Sequence, residues 1–228
     1  MKIKGVEDYV AMSEAAKEII IGRVRGKPSL VLALPTGKTP ELLYSMLVEE
    51  HKKGLDLSRV VTFNLDEYVG LDPTSRNSYH HYMEEKFLKW VKVKESHIPN
   101  GMALDLEKEC MEYEKKIVEV GGIDLAILGI GRDGHIGFNE PGTSFESRTH
   151  VAETPAVNSN APKKAITMGI KTIREAKEIV LLASGREKAK AVKMMVRRIT
   201  EEVPASILQK HENCEVIVDR EASIFLNS

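Results

Sequence analysis

Cysteine is scarce in this chain. Only Cys110 and Cys214 occur in 228 residues, far apart and without CxxC or metal-like spacing, which excludes a disulfide framework and a cysteine-based zinc cluster. They read as buried free thiols of a reducing compartment. Long apolar runs are missing too: no 18 consecutive apolar residues occur, so a membrane-spanning helix is not expected. The first residues, "MKIKGVEDYV", carry charge throughout and have no signal-peptide core. The expectation is a cytoplasmic protein. Net charge is lacking as well, since 33 Lys+Arg against 34 Asp+Glu leave a formal −1. Neither nucleic acid nor an acidic membrane surface is implied as a partner. Finally, there is no internal repeat and no Gly-, Pro- or Ser-rich linker, and the length suits one well-buried core. A single domain over 1–228 is expected, with one elaborated irregular stretch at about 132–162 that reads as an active-site wall or lid.

What is present is an alternation. Apolar runs at Ser29 to Leu34, Arg59 to Asn64, Ile123 to Leu128, Lys164 to Gly169, Glu178 to Ala183 and Cys214 to Asp219 have the composition of strands covered on both faces. Segments of helical periodicity lie between or beside them: Val10 to Arg23, Pro40 to Lys53, Tyr79 to Trp90, Leu106 to Val120 and Glu187 to Thr200. Thr39-Pro40 reads as a cap before a first-turn proline, and Ser184 to Glu187 has capping-box spacing. The pattern predicts an α/β fold with an open, mainly parallel sheet, helices on both faces and a Rossmann-like layout. Such sheets bind ligands beyond the carboxyl ends of their strands. Four predicted strands run there into polar loops: "PTGKTP", "NLDEYVG", "GIGRDGH" and "SGREK".

Three motifs in these loops are near matches. "GIGRDG" (Gly129 to Gly134) fits GxGxxG, but "HIGFNEPG" follows where a long helix is required, and Gly137 and Pro141 argue against a nicotinamide site. "GKT" (Gly37 to Thr39) resembles the end of a P-loop, yet Leu32 stands in place of the first glycine; the turn can still offer N–H groups to an anion. Asp133, His135 and Glu140 form a set that suits either a metal or proton traffic through an imidazole held by carboxylates. With one local histidine, proton traffic is the reading taken and no metal is assigned.

"LPTGKTP" (Leu34 to Pro40), "VVTFNLDEYVGL" (Val60 to Leu71), "NSYHHYM" (Asn77 to Met83) and "GIGRDGHIGFNEPG" (Gly129 to Gly142) resemble, in order across most of the chain, the glucosamine-6-phosphate deaminase (isomerase) family. The sister family, 6-phosphogluconolactonase, would show Asp-Glu-Arg where Asp66-Glu67-Tyr68 stand and Ser-Leu-Phe after the histidine. A lactonase-like hydrolase and a catalytically silent sugar-phosphate sensor are the alternatives.

The resemblance implies conversion of glucosamine 6-phosphate and water to fructose 6-phosphate and ammonia, without an organic cofactor. It casts Asp66 as the base moving a proton between C2 and C1, and His135 as the ring-opening residue with Asp133 and Glu140 as partners. Thr36, Gly37, Thr39, Thr143, Ser144 and Lys188 match or approximate the phosphate side. Asn160 stands where the family commonly supplies an arginine, and Lys163, Lys164 or Arg148 are candidates to replace it in part. His150 and Ala152 occupy positions where an acetylglucosamine-6-phosphate effector site would carry basic residues. A small homo-oligomer without that regulation is expected.

Overall fold

A computed structural model describes residues 1–154 and 162–226. The strands are β1 (Lys2–Gly5), β2 (Val31–Leu34), β3 (Val61–Asn64), β4 (Asp66–Tyr68), β5 (Glu95–His97), β6 (Leu125–Gly129), β7 (His150–Glu153), β8 (Lys164–Thr167), β9 (Glu178–Ala183) and β10 (Cys214–Val218). The helices are α1 (Tyr9–Gly26), α2 (Glu41–Lys52), α3 (Tyr79–Met83), α4 (Leu106–Glu119), α5 (Ile170–Arg174), α6 (Ala189–Arg197) and α7 (Arg220–Ser223).

Seven strands form a parallel sheet in the order β1-β10-β9-β6-β2-β3-β5. Its strands are apolar without alternation because both faces are covered. Along β6, Ala126 and Leu128 pack into a core with Tyr113 and Ile117 of α4 and Val192 and Met195 of α6. Leu125 and Ile127 pack into a second core with Met12 and Ile20 of α1 and Leu43 and Leu47 of α2. The predicted α/β architecture is the one observed.

The direction of winding places the site. From β2 the chain moves outward through β3 to β5, then returns to the other side of β2 as β6. The strand order therefore reverses between β2 and β6, and a crevice opens beyond their carboxyl ends.

Several local expectations differ. The run from Lys164 to Gly169 is not in the parallel sheet: β8 joins β4 and β7 in a small antiparallel sheet. The expected helix from Tyr79 to Trp90 is α3 followed by a π-helical turn, Glu84–Leu88. Thr39 does not cap α2, whose preceding residue is Pro40, without a side-chain cap. Nor does Ser184 form a capping box: its hydroxyl donates to Asp219 Oδ2 at 2.5 Å, and a short 3-10 turn, Arg186–Lys188, leads into α6. Asp219 already caps α7 by accepting from the Ala222 N–H, so the acidic partner outcompeted the local one.

Candidate active site

A cavity of about 640 Å³ occupies the crevice, walled by the loop from Pro35 to Thr39, the loop from Gly129 to His135, Asp66, Tyr79 and Lys188. Gly37 turns the first loop with φ +93°, a conformation that other residues rarely adopt.

Asp66 follows β3 after the single residue Leu65 and opens β4, not a free loop. Its backbone pairs with Thr167 of β8, and Met168 N–H donates to Leu65 O at 2.6 Å. The same Thr167 receives the Phe138 N–H on its Oγ1 at 3.0 Å, while Asn139 Nδ2 donates to Ile136 O and Met168 O. One end of β8 thus holds both the Asp66 strand and the loop beyond His135. Asp66 is 6% exposed, and its Oδ1 is buried without a hydrogen-bond partner. Burial pushes this carboxyl up to about 7; the Glu67 charge acts in the same direction and His135 opposes it.

His135 sits in a tight loop closed by Gly131 N–H to His135 O at 2.8 Å. Its ring lies against Gly131: a Cβ there would stand 2.3 Å from His135 Cε1 and Nδ1. Nδ1 is 2.8 Å from Asp133 Oδ1 and 3.5 Å from Glu140 Oε1, ion-pair distances that lie off the line of a ring N–H hydrogen bond. Burial alone would lower the imidazole, but Glu140 and Asp133 outweigh it and hold it above its ordinary value. Asp133 is held low by the His135 backbone N–H and imidazole, which overcome its partial burial. Ligand atoms of these three residues fall within 4.8 Å of one another, a spacing that also suits a metal ion. A ligating imidazole must be neutral, whereas two carboxylates here favour the protonated ring. The two carboxylates would draw a cation as well as they favour a protonated ring, so the spacing suits either use.

Of the other expected residues, Thr36, Gly37, Thr39 and Lys188 line the cavity, and Thr143 and Ser144 do not. The Thr143 hydroxyl donates to Glu140 O at 2.7 Å, and Ser144 Oγ accepts the Glu146 N–H at 3.3 Å, so both build the turn after Glu140. Arg148 is committed elsewhere, bonded through both terminal nitrogens to Glu175 and lying 3.4 Å from Glu114. Lys164 pairs with Glu153 at 3.7 Å, Lys163 is exposed, and Asn160 lies outside the described residues. His150 and Ala152 lie on β7.

Sequence reasoning missed Arg132, Tyr79, Phe138 and Glu187 in the cavity wall, and the buried Glu67 behind it. Tyr68, Tyr79 and Phe138 form an aromatic group, with Tyr68 4.8 Å from Tyr79 and 5.3 Å from Phe138 between ring centres. No periodicity marks such residues, because they come together only when β4, α3 and the loop after β6 converge.

The family model described as glucosamine-6-phosphate isomerases/6-phosphogluconolactonase matches residues 8–217. The chain is 49% identical to a glucosamine-6-phosphate deaminase of Shouchella clausii, over 98% of this chain and 96% of that one. It is 45% identical to glucosamine-6-phosphate deaminase 1 of Bacillus subtilis, over 98% of each. Among solved structures, a monomeric glucosamine-6-phosphate deaminase superposes with a TM-score of 0.93 and 43% identity, over 98% of this chain and 99% of that one. A 6-phosphogluconolactonase from Trypanosoma cruzi superposes at 0.84 with 24% identity, over 100% and 97%, a likeness of fold alone.

Proposed function

Because the chain belongs to the family of glucosamine-6-phosphate isomerases and 6-phosphogluconolactonases, we propose that the crevice between β2 and β6 is its active site and that Asp66 and His135 divide the proton transfers. The reaction is the deamination and isomerisation of glucosamine 6-phosphate to fructose 6-phosphate and ammonia.

The chemistry sets three demands. Opening the pyranose requires a proton delivered to the ring oxygen and one removed from the C1 hydroxyl. Isomerisation then removes the C2 proton and returns a proton to C1, converting the C2 amine to an imine, which water hydrolyses to the ketone and ammonia. His135 serves the first demand, since Asp133 and Glu140 favour the protonated ring and steady it as it gives up and regains a proton. Asp66 serves the second. A carboxylate excluded from water is a stronger base than one in solution, and a value of about 7 matches a base working near neutral pH. The observation that carries this reading is the buried, unpartnered Asp66 Oδ1 in the cavity wall. Thr36, Gly37, Thr39 and Lys188 take the phosphate end, with Thr143 supporting Glu140 from the adjoining turn. No hydride or electron sink is needed, so no organic cofactor is assigned.

The partner is a small sugar phosphate; the balanced charge supports neither nucleic acid nor a membrane surface as another. No helix among the described residues is long and apolar enough to cross a membrane. Two buried thiols support a cytoplasmic setting, and two cores packed on the opposite faces of one sheet support reading 1–228 as one domain. Exposed Met111 and Val118, seven residues apart on the outer face of α4, support a small homo-oligomer, which light scattering would measure.

The test is to incubate the chelator-treated protein with glucosamine 6-phosphate and follow both products. Equal amounts of ammonia and fructose 6-phosphate are expected. Hydrolysis of 6-phosphogluconolactone instead would reassign it as a lactonase, and sugar-phosphate binding without turnover would make it a sensor.

A further inference from the structure

Three cations line the cavity, Lys38, Arg132 and Lys188, and among the described residues none of them forms an ion pair. β6 and β9 are neighbours in the sheet, so the loops at their carboxyl ends adjoin. The first carries Arg132, the second Lys188, and both line the cavity with the turn from Thr36 to Thr39. The Lys188 ammonium is lowered from the ordinary lysine value by burial and by the charge of Arg132, against the opposing pull of Glu187 and Asp133. Asp133 is engaged with His135 at 2.8 Å, and among the described residues neither Arg132 nor Lys188 forms an ion pair. Two cations close enough to repel, one of them half-buried, are stabilised when an anion lies between them.

Of the other basic residues, Lys38 is exposed on the first loop, whereas Lys188 is half-buried beside the β6 loop that carries Arg132. Arg148 is held by Glu175 and Glu114, and Lys164 by Glu153. We propose that Arg132 is the second phosphate-binding cation of this site, gripping the 6-phosphate of the substrate from the β6 loop while Lys188 contacts it from the β9 side. This rests on the assignment of the crevice as a sugar-phosphate site and names the residue that selects the phosphorylated sugar. The planar guanidinium can present two N–H groups to two phosphate oxygens, and the ammonium supplies a point charge. The backbone of the Gly37 turn adds neutral donors.

The test compares Arg132→Gln, Arg132→Lys and Lys188→Gln with the unmodified chain in two measurements. In steady-state kinetics, Arg132→Gln should raise KM for glucosamine 6-phosphate by about 10- to 100-fold while kcat changes much less, with Arg132→Lys between the two. The preference for glucosamine 6-phosphate over unphosphorylated glucosamine should fall by a similar factor. In calorimetric titration with inorganic phosphate, Arg132→Gln should weaken binding by a similar factor. Arg132 is exposed, so its variants should melt within a few degrees of the parent.

An Arg132→Gln protein with the parent's KM and phosphate affinity, beside a Lys188→Gln protein that loses both, would overturn the proposal. So would a collapse of kcat at unchanged KM, which would place Arg132 at the reacting carbons. If the unmodified chain releases no ammonia, the assigned reaction fails, and the phosphate titration still decides for or against Arg132.

Discussion

Glu67 Oε2 stands 2.7 Å from His80 Nδ1 and accepts the backbone N–H of the same residue at 2.9 Å. Its other oxygen accepts the N–H groups of Tyr68 and Tyr79 at 2.8 and 2.9 Å. A carboxylate that is 1% exposed thus ties β4, where Asp66 lies, to the first turn of α3, where Tyr79 enters the cavity wall. An amide in its place has one accepting oxygen and turns an NH₂ group toward N–H donors. Glu67→Gln should lower kcat about tenfold through loss of this alignment. Because the Glu67 charge raises the Asp66 carboxyl, the acid limb of the kcat/KM profile should also move to lower pH. A tenfold loss with an unmoved acid limb would reduce Glu67 to a structural clamp.

Asp66 should destabilise the protein above neutral pH. Its carboxyl titrates near 4 in an unfolded chain and at about 7 in the native one. The folded state therefore binds the proton more tightly, and the stability gained is complete below about 4 and lost as pH rises through 7. Asp66→Asn removes the buried charge, so its melting temperature should exceed the parent's at pH 8 and match it near pH 4. The gap at pH 8 should correspond to roughly 2–4 kcal/mol. Thermal melts at the two pH values measure it, and a variant less stable at pH 8 would mean that the carboxylate is satisfied there.

Gly131→Ala should damage catalysis more than folding. The added Cβ would lie 2.3 Å from the His135 ring, so the imidazole must leave its place between Asp133 and Glu140. A loss of about 10²-fold in turnover is expected, with a melting temperature near the parent's. Unaltered turnover would show that ring position is not constrained at Gly131.

The layered fold was legible in the apolar runs because strands covered on both faces leave an unmistakable composition; β6 is the plainest case. The antiparallel sheet of β4, β8 and β7 was not. Asp66-Glu67-Tyr68 is too short and polar to read as a strand, and it pairs with residues about a hundred positions away. The convergence of Asp133, His135 and Glu140 could be read because they lie within eight residues of one another. Arg132 sits among them without a local signal of its own, since its place in a cavity shared with Lys188 depends on β9 lying beside β6. Ser184 shows the converse error: a local capping pattern lost to a distant carboxylate, Asp219.

His135 should titrate above the usual imidazole value of about 6.5. Glu140→Gln should lower it by more than Asp133→Asn, because Glu140 is the stronger of the two raising influences. The stability that the pairing supplies is present below about 6.5 and lost as pH rises through the native value. Imidazole proton chemical shifts followed across pH 5 to 9 give all three values, and a parent His135 below 6.5 would contradict the charge pairing.

Proton transfer at carbon by Asp66 is the centre of this account, and isotope transfer tests it most directly. Glucosamine 6-phosphate is converted in heavy water by the unmodified chain and by Asp66→Asn, and ammonia release and deuterium at C1 of fructose 6-phosphate are measured together. The unmodified chain should release ammonia and place at C1 the proton carried from C2, with solvent deuterium only to the extent that it exchanges onto the Asp66 carboxyl, and Asp66→Asn should slow ammonia release and any deuterium entry together by about 10²- to 10⁴-fold. Turnover by Asp66→Asn within tenfold of the parent, with deuterium still entering C1, would contradict it.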